Sequence, residues 1–295
     1  MEATASQVRR WLLVEVTGPW GRDAITQSEL GPYAPEVWRR AMKQRSVRII
    51  AIRRDLHHRS DGEGVRLVYV EAPRPGDSPA SAHRVVVPAL HDVVGATASL
   101  AGGHGLSDAW RPDSDRYVLV CTNGRHDACC ATYGRPLVRD LRDSPWAAQV
   151  WECSHIGGDR WAANLVLLPD SLYFGHQDGA SARRVLAAHD AGRLELLGFR
   201  GRTTSKLIEQ AAEHHVRATL HLDRLDAVRA IERPDDHTVR ITVLTPDGPA
   251  VCTLLLERHD VAAPTPLTCK GRPGQHYPEF HVVDMTIEPS AAPAN

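Results

Sequence analysis

Four of the chain's six cysteines fall between residues 121 and 153: Cys121, Cys129, Cys130 and Cys153. His126, Asp127, His155 and Asp159 are interleaved with or follow them. Thiolates and imidazoles gathered this closely suit a metal ion or an iron–sulfur cluster. Any single free cysteine is more often a small buried hydrophobe, and any single loop histidine an ordinary polar residue. The grouping is what changes the reading. Cys121 and Cys130 flank an Asn/Gly loop, and the start of a helix favours thiolates through its partial positive charge. His155 is followed by Gly157-Gly158, which let backbone approach closely and turn N–H groups toward sulfur. Cys153 is two residues from His155 and shares its face if the strand continues that far.

The elements that must position these residues are legible. Tyr117-Val-Leu-Val120 reads as a buried strand ending at Cys121. Residues 129–142 suit a helix that opens on Cys129 and Cys130, and a short strand over 149–153 precedes His155. A strand end, a helix start and the loop after a neighbouring strand converge naturally in an α/β layer.

The residues carry a resemblance. The run Cys121-Thr-Asn-Gly-Arg-His-Asp-Ala-Cys-Cys130, then Tyr133-Gly-Arg-Pro, Trp151-Glu-Cys-Ser-His155-Ile-Gly-Gly-Asp159-Arg-Trp-Ala-Ala-Asn164 and Leu168-Pro-Asp170, resembles the sucrase/ferredoxin-like family. Trp11-Leu-Leu-Val-Glu-Val-Thr-Gly-Pro-Trp-Gly-Arg-Asp-Ala24 extends it toward the N-terminus. The resemblance implies a thioredoxin-like [2Fe–2S] ferredoxin whose cluster is held by two cysteines spaced C-x8-C and two histidines in H-x-G-G-H. Cys121 and Cys130 have that spacing, and His155 matches the first histidine. Asp159 stands where the second histidine is expected. It is a ligand, an acceptor for His155 or a partner of Arg160; Cys129 and Cys153 are the other candidates for the fourth position. The candidate metal set is therefore Cys121, Cys129, Cys130, Cys153, His155 and Asp159, with Cys121, Cys130 and His155 its firmest members.

The chain's 295 residues, 42% hydrophobic and 24% charged, suit a soluble globular protein of more than one unit. A net charge of −1 gives no electrostatic argument for nucleic acid or a membrane surface. The sequence has no long apolar run and its N-terminus no secretory h-region, so the expectation is a cytoplasmic protein. Too few cysteines are present for a disulfide scaffold. Cys252 reads as a buried strand residue, while Cys269 lies in a turn-rich segment where a functional role is open.

Along the chain, strands are expected over 11–16, 47–52, 66–71 and 83–88, with a helix over 33–45. Strand, helix, strand, hairpin resembles a thioredoxin-like half, and the order recurs through the cysteine-rich stretch, with a hairpin over 164–175 and a helix over 182–197. Aligning the halves puts Glu15 in the place of Cys121 and Ile25 in that of Cys129. The expected fold is α/β and thioredoxin-like, as two related units plus a small α+β C-terminal extension. The units are a ligand-free one over 9–100, the metal-site unit over 112–200 and the extension over 201–288, with a helix over 206–220 and strands near 238–244, 250–256 and 280–287.

The function expected is electron transfer, with a reductase or acceptor enzyme as redox partner and no substrate of the protein's own. Arg125, His126 and Arg135 are plain surface charge or a docking patch for an acidic partner. A thiol oxidoreductase needs C-x-x-C where this chain has Cys129-Cys130. A structural zinc site uses the same ligands. No carboxylate pair singles out a glycosidase.

Overall fold

The computed structural model describes residues 2–54, 64–77 and 80–290. β1 (Arg10–Glu15), α1 (Glu36–Gln44), β2 (Val47–Arg53), β3 (Val65–Glu71) and β4 (Ser81–Val87) come first. Two short helices, α2 (Val93–Ala96) and α3 (Ala98–Gly102), and the two-residue β5 (Arg111–Pro112) follow. Then come β6 (Tyr117–Cys121), α4 (Ala128–Leu141), β7 (Val150–Cys153), β8 (Leu165–Leu168), β9 (Leu172–Phe174) and α5 (Gly179–Asp190). The chain continues through β10 (Phe199–Arg202), α6 (Leu207–Thr219), β11 (Val228–Glu232), β12 (Thr238–Thr245), β13 (Gly248–Ala262) and β14 (His276–Pro289).

Strands β1 to β10 form one mixed sheet in the order β10-β9-β8-β6-β7-β2-β1-β3-β4-β5. β1 is parallel to β2 and antiparallel to β3, which pairs antiparallel with β4. β6 repeats this: parallel to β7, antiparallel to β8, which pairs antiparallel with β9. The two sets join where β2 and β7 meet antiparallel through Ile52↔Cys153 and Arg53↔Glu152. All five residues of β6 are buried, as a central strand covered on both faces requires. One face carries Trp11, Leu13, Ile50, Ile52, Leu119, Trp151 and Tyr173 in a single apolar cluster. On the other, α1 packs Trp38 and Met42 against Leu12 and Val14, and α4 packs Leu137 and Leu141 against Val118 and Val120.

α5 opens on a reciprocal cap, Ser181 N–H to Asp178 Oδ1 (2.7 Å) and Asp178 N–H to Ser181 Oγ (2.9 Å). It ends at Asp190, short of the helix expected over 182–197, because Gly192 takes a left-handed conformation (φ 70°) that closes the helix.

The C-terminal part is α6 against a separate antiparallel sheet, β11-β12-β13-β14. Buried Glu213 ties it to the large sheet, accepting from Arg202 Nε of β10 (3.0 Å) and Arg217 Nε of α6 (2.9 Å). β12 pairs with β13 only as far as Leu255, whereas β13 and β14 stay paired to Ala262↔His276. A two-stranded arm therefore projects beyond the four-stranded sheet. No helix among the described residues is long and apolar enough to cross a membrane.

Candidate metal centre

β6 delivers Cys121 to its C-terminal end, and residues 122–127 return the chain into α4 with Asp127 as its capping residue. Cys129 and Cys130 occupy the first turn of that helix. Gly134 lets α4 lie across the strand end, since a Cβ there would stand 2.1 Å from the Cys121 carbonyl oxygen. After β7, His155 and Asp159 enter from a loop built on Gly157 (φ 97°) and Gly158 (φ 84°). That loop is held from several sides. Ser6 Oγ (2.9 Å) and the Tyr173 hydroxyl donate to the Ile156 carbonyl, and Arg48 Nη2 donates to the His155 carbonyl (3.1 Å). Asn164 Nδ2 donates to the Gly158 carbonyl (2.7 Å), and Arg200, 2% exposed, donates to Asn164 Oδ1 (2.6 Å). Burial pulls the Arg200 guanidinium down to about 10.

The donors meet in one place. Donor atoms of Cys121, Cys130 and His155 all lie within 4.8 Å of one another, as do those of Cys129, Cys130 and Asp159. His155 Nδ1 is 3.9 Å from Cys130 Sγ and 3.1 Å from Asp159 Oδ1, and Cys130 Sγ donates to that oxygen (3.6 Å). The hydrogen bond from Cys130 holds the Cys121 thiol well below the usual range against the cost of its burial, with His155 assisting. The same bond, with burial, pushes Cys130 up. Burial likewise raises the Asp159 carboxyl, with His155 opposing. Of the two thiols, Cys121 is the one whose surroundings favour the thiolate, the form in which a thiol ligates or reacts.

The other expected residues stand differently. Cys153 is directly opposite Cys121 in the parallel β6–β7 register and 0% exposed, within the apolar cluster of Trp11, Leu13 and Ile52. Among the described residues it joins no group of three donors. Burial raises its thiol well above the ordinary range. Among the described residues Cys129 shares no donor group with Cys121; its Sγ lies 3.1 Å from the Asp159 carbonyl oxygen and 3.5 Å from Asp127 Oδ1, either of which can accept its one thiol proton. Cys252 is buried in β13, as expected of a small core residue.

Three residues matter more here than their spacing indicates. The His126 ring stacks on His155 (centroids 3.7 Å, 11°), and its Nδ1 lies 3.1 Å from the Arg22 carbonyl oxygen. Donor atoms of His126, His155 and Asp159 also fall within 4.8 Å of one another. Asp127 accepts from the Cys269 N–H at Oδ2 (2.9 Å). Burial pushes this carboxyl up, but hydrogen bonds from Cys269 and Cys129 outweigh it and hold it low. Asp127 holds the N-cap position of α4, yet its carboxylate makes no capping hydrogen bond and is taken by Cys269, which nothing local marks as a neighbour.

No curated protein and no solved structure matches this chain. A family model described as sucrase/ferredoxin-like matches residues 1–197, which take in β1 to β9 and every donor above except Cys269. With more than half of its length inside that match, the chain belongs to the sucrase/ferredoxin-like family.

Proposed function

We propose that this is an electron-transfer protein that binds a [2Fe–2S] cluster through mixed thiolate and imidazole ligands. The carrying observation is the meeting of Cys121, Cys130 and His155 at the join of β6, α4 and the Gly157-Gly158 loop. Two thiols, an imidazole and a carboxylate are a donor set that fits such a group. Cys121 and Cys130 would hold it from the strand end and the helix start, and His155 from the loop. Asp159 is the fourth donor in this reading, because its Oδ1 stands beside both Cys130 Sγ and His155 Nδ1. Thiols bind as thiolates, so loading releases thiol protons and uptake is favoured as pH rises. When bound, a [2Fe–2S] cluster passes one electron at a time, and an imidazole ligand makes it less negative and raises its potential.

The protein's own residues do the positioning. Arg200, Asn164 and Ser6 fix the loop that aims His155, and Trp151, Tyr173 and Ile156 keep the inner side dry. His126 covers the outer face of His155, with exposed Arg22, Arg125 and Arg135 nearby. This edge suits an acidic redox partner, a reductase or an acceptor enzyme, and the protein acts as a carrier with no substrate of its own. The repeated strand order and directions support reading residues 9–100 and 112–200 as two related thioredoxin-like units, with 201–288 as an α+β extension.

One observation favours a second reading. Donor atoms all within 4.8 Å of one another also suit a single tetrahedral zinc. Anaerobic purification followed by iron, sulfide and zinc analysis, with EPR after dithionite reduction, separates the two. About two irons and two sulfides, with an EPR signal after reduction, is the expected result. A colourless protein with one zinc overturns the electron carrier.

A further inference from the structure

The β13–β14 arm lies outside the family match, yet it ends on the donor cluster. Its tip, residues 263–275, is closed by Ala263 N–H to the Gln275 carbonyl (2.7 Å) and Leu267 N–H to Gln275 Oε1 (3.1 Å). Two contacts seat it. Tyr277 of the arm stacks under the Arg160 guanidinium, 3.8 Å from the ring centroid, and the Cys269 N–H donates to Asp127 Oδ2. This seating places Cys269 beside Cys129: donor atoms of Asp127, Cys129 and Cys269 lie within 4.8 Å of one another. Cys269 is exposed, Cys129 half-buried, and both thiols are free. Together with Asp159 and Thr268 they line a cleft of about 440 Å³.

We propose that Cys129 and Cys269 are a redox-active thiol pair whose disulfide fastens the arm against the Asp159 side of the centre. The pair comes from segments far apart in sequence and is brought together by tertiary structure alone, and among the described residues Cys129 shares no donor group with Cys121 and His155. The co-reactant is a low-molecular-weight disulfide. Exposed Cys269 loses its proton to solvent and attacks one sulfur, forming a mixed disulfide and releasing one small thiol. Burial, with Cys269 and Asp127 adding to it, raises the Cys129 thiol. Cys129 therefore gives its proton to the departing small thiolate as it attacks Cys269 Sγ, forming the Cys129–Cys269 bond and expelling the second small thiol. The protein gives up two electrons and two protons, and the small disulfide gains them as two thiols. A bridge with an exposed sulfur is reducible, as suits a reversible fastening. None of this depends on what the neighbouring donors bind.

The test treats full-length protein, both as purified and after metal removal, with oxidised glutathione. Free thiols are trapped with N-ethylmaleimide and mapped by peptide mass. The expected product is a Cys129–Cys269 cross-linked peptide, two hydrogens lighter than its reduced halves, in both preparations and absent from Cys269→Ser. Amide exchange across residues 263–275 slows in the oxidised protein and returns on reduction. Cys269→Ser keeps the metal content of the parent. Both thiols alkylated after oxidation, or Cys269 stopped at the glutathione adduct, overturns the pair. A cross-link that forms only after metal removal makes Cys129 a ligand and overturns it too. Zinc bound by the unoxidised parent and lost in Cys269→Ser replaces the thiol pair with a metal site. Exchange unchanged by oxidation overturns the fastening. Iron and sulfide analysis of the same samples reads the cluster proposal separately.

Discussion

The two halves of the ten-stranded sheet share a plan and differ in what they place at its critical point. Glu15, Ile52, Cys153 and Cys121 form one register row across β1, β2, β7 and β6. Glu15 is thus the positional counterpart of Cys121, and Ile52 of Cys153. In the second half, residues 122–127 suffice to turn from strand to helix, so the thiols of the first helical turn sit over the strand end. In the first half, residues 16–35 separate β1 from α1. The longer connection reaches the neighbouring half instead: Asn123 Nδ2 donates to the Gly21 carbonyl (3.2 Å), and the Arg22 carbonyl meets His126. Loop length, more than strand order, decides which half keeps donors and which becomes a wall.

The largest expected effect breaks this symmetry outright. Cys121→Ser, Cys130→Ser and His155→Ala each remove a member of the converging set and lose nearly all bound metal, measured as metal per chain. Glu15→Gln alters the matching position in the other half and keeps the parent's content. Loss of metal in Glu15→Gln, or retention in all three others, would show that the centre is not confined to the second half.

Next comes packing, where the halves should behave alike. Leu13 and Leu119 are counterparts, each two residues before the row and 0% exposed. Truncation of either to alanine costs about 3 kcal/mol of metal-free stability, read from urea unfolding. Leu119→Ala alone also lowers metal retention. A nearly neutral Leu13→Ala would mean that the first half is not a packed counterpart.

Gly134 gives a smaller contrast. An exposed helical glycine replaced by alanine gains about 1 kcal/mol. At Gly134 the added methyl meets the Cys121 carbonyl, so Gly134→Ala lifts α4, loses about 1–3 kcal/mol and weakens metal retention. α1 contains no glycine and lies over no donor. A stabilised Gly134→Ala with full metal content would show that α4 need not sit so close.

What the sequence displays of this arrangement is what local pattern encodes. The run 117–121 is apolar throughout because β6 is buried on both faces, and the Cys121/Cys130 spacing follows from a short strand-to-helix turn. The recurrence of Glu15 and Cys121 shows because both end an apolar strand of similar length. The pairing of Ile25 with Cys129 does not extend to structure: Ile25 sits in a turn whose N–H reaches Asp23 Oδ1 (2.9 Å), well before α1 begins. The short helices α2 and α3 carry too few turns for a period to emerge. The stack of His126 on His155 and the return of Cys269 to Asp127 depend on tertiary paths; Cys269 and Asp127 are 142 residues apart. No spacing rule reaches that far.

The finest distinction between the halves is electrostatic. At Cys121, hydrogen bonding overcomes burial and favours the anion; at Glu15, burial wins. The Glu15 carboxyl is raised above the usual carboxylate range by desolvation, with Arg66 and Arg54 only partly offsetting it. Below the unfolded-state pKa of about 4.3, Glu15 is protonated in both states and costs nothing. As pH rises through its raised folded value, the folded protein must charge a half-buried carboxyl, and stability falls. Glutamine keeps the shape of the protonated form and never charges. Melting temperatures of Glu15→Gln and the parent should therefore coincide near pH 4 and separate toward pH 7, with the variant the more stable. The opposite order at pH 7 would mean that Arg66 and Arg54 bind the carboxylate strongly enough to reverse the sign, making Glu15, like Cys121, a position built to hold an anion.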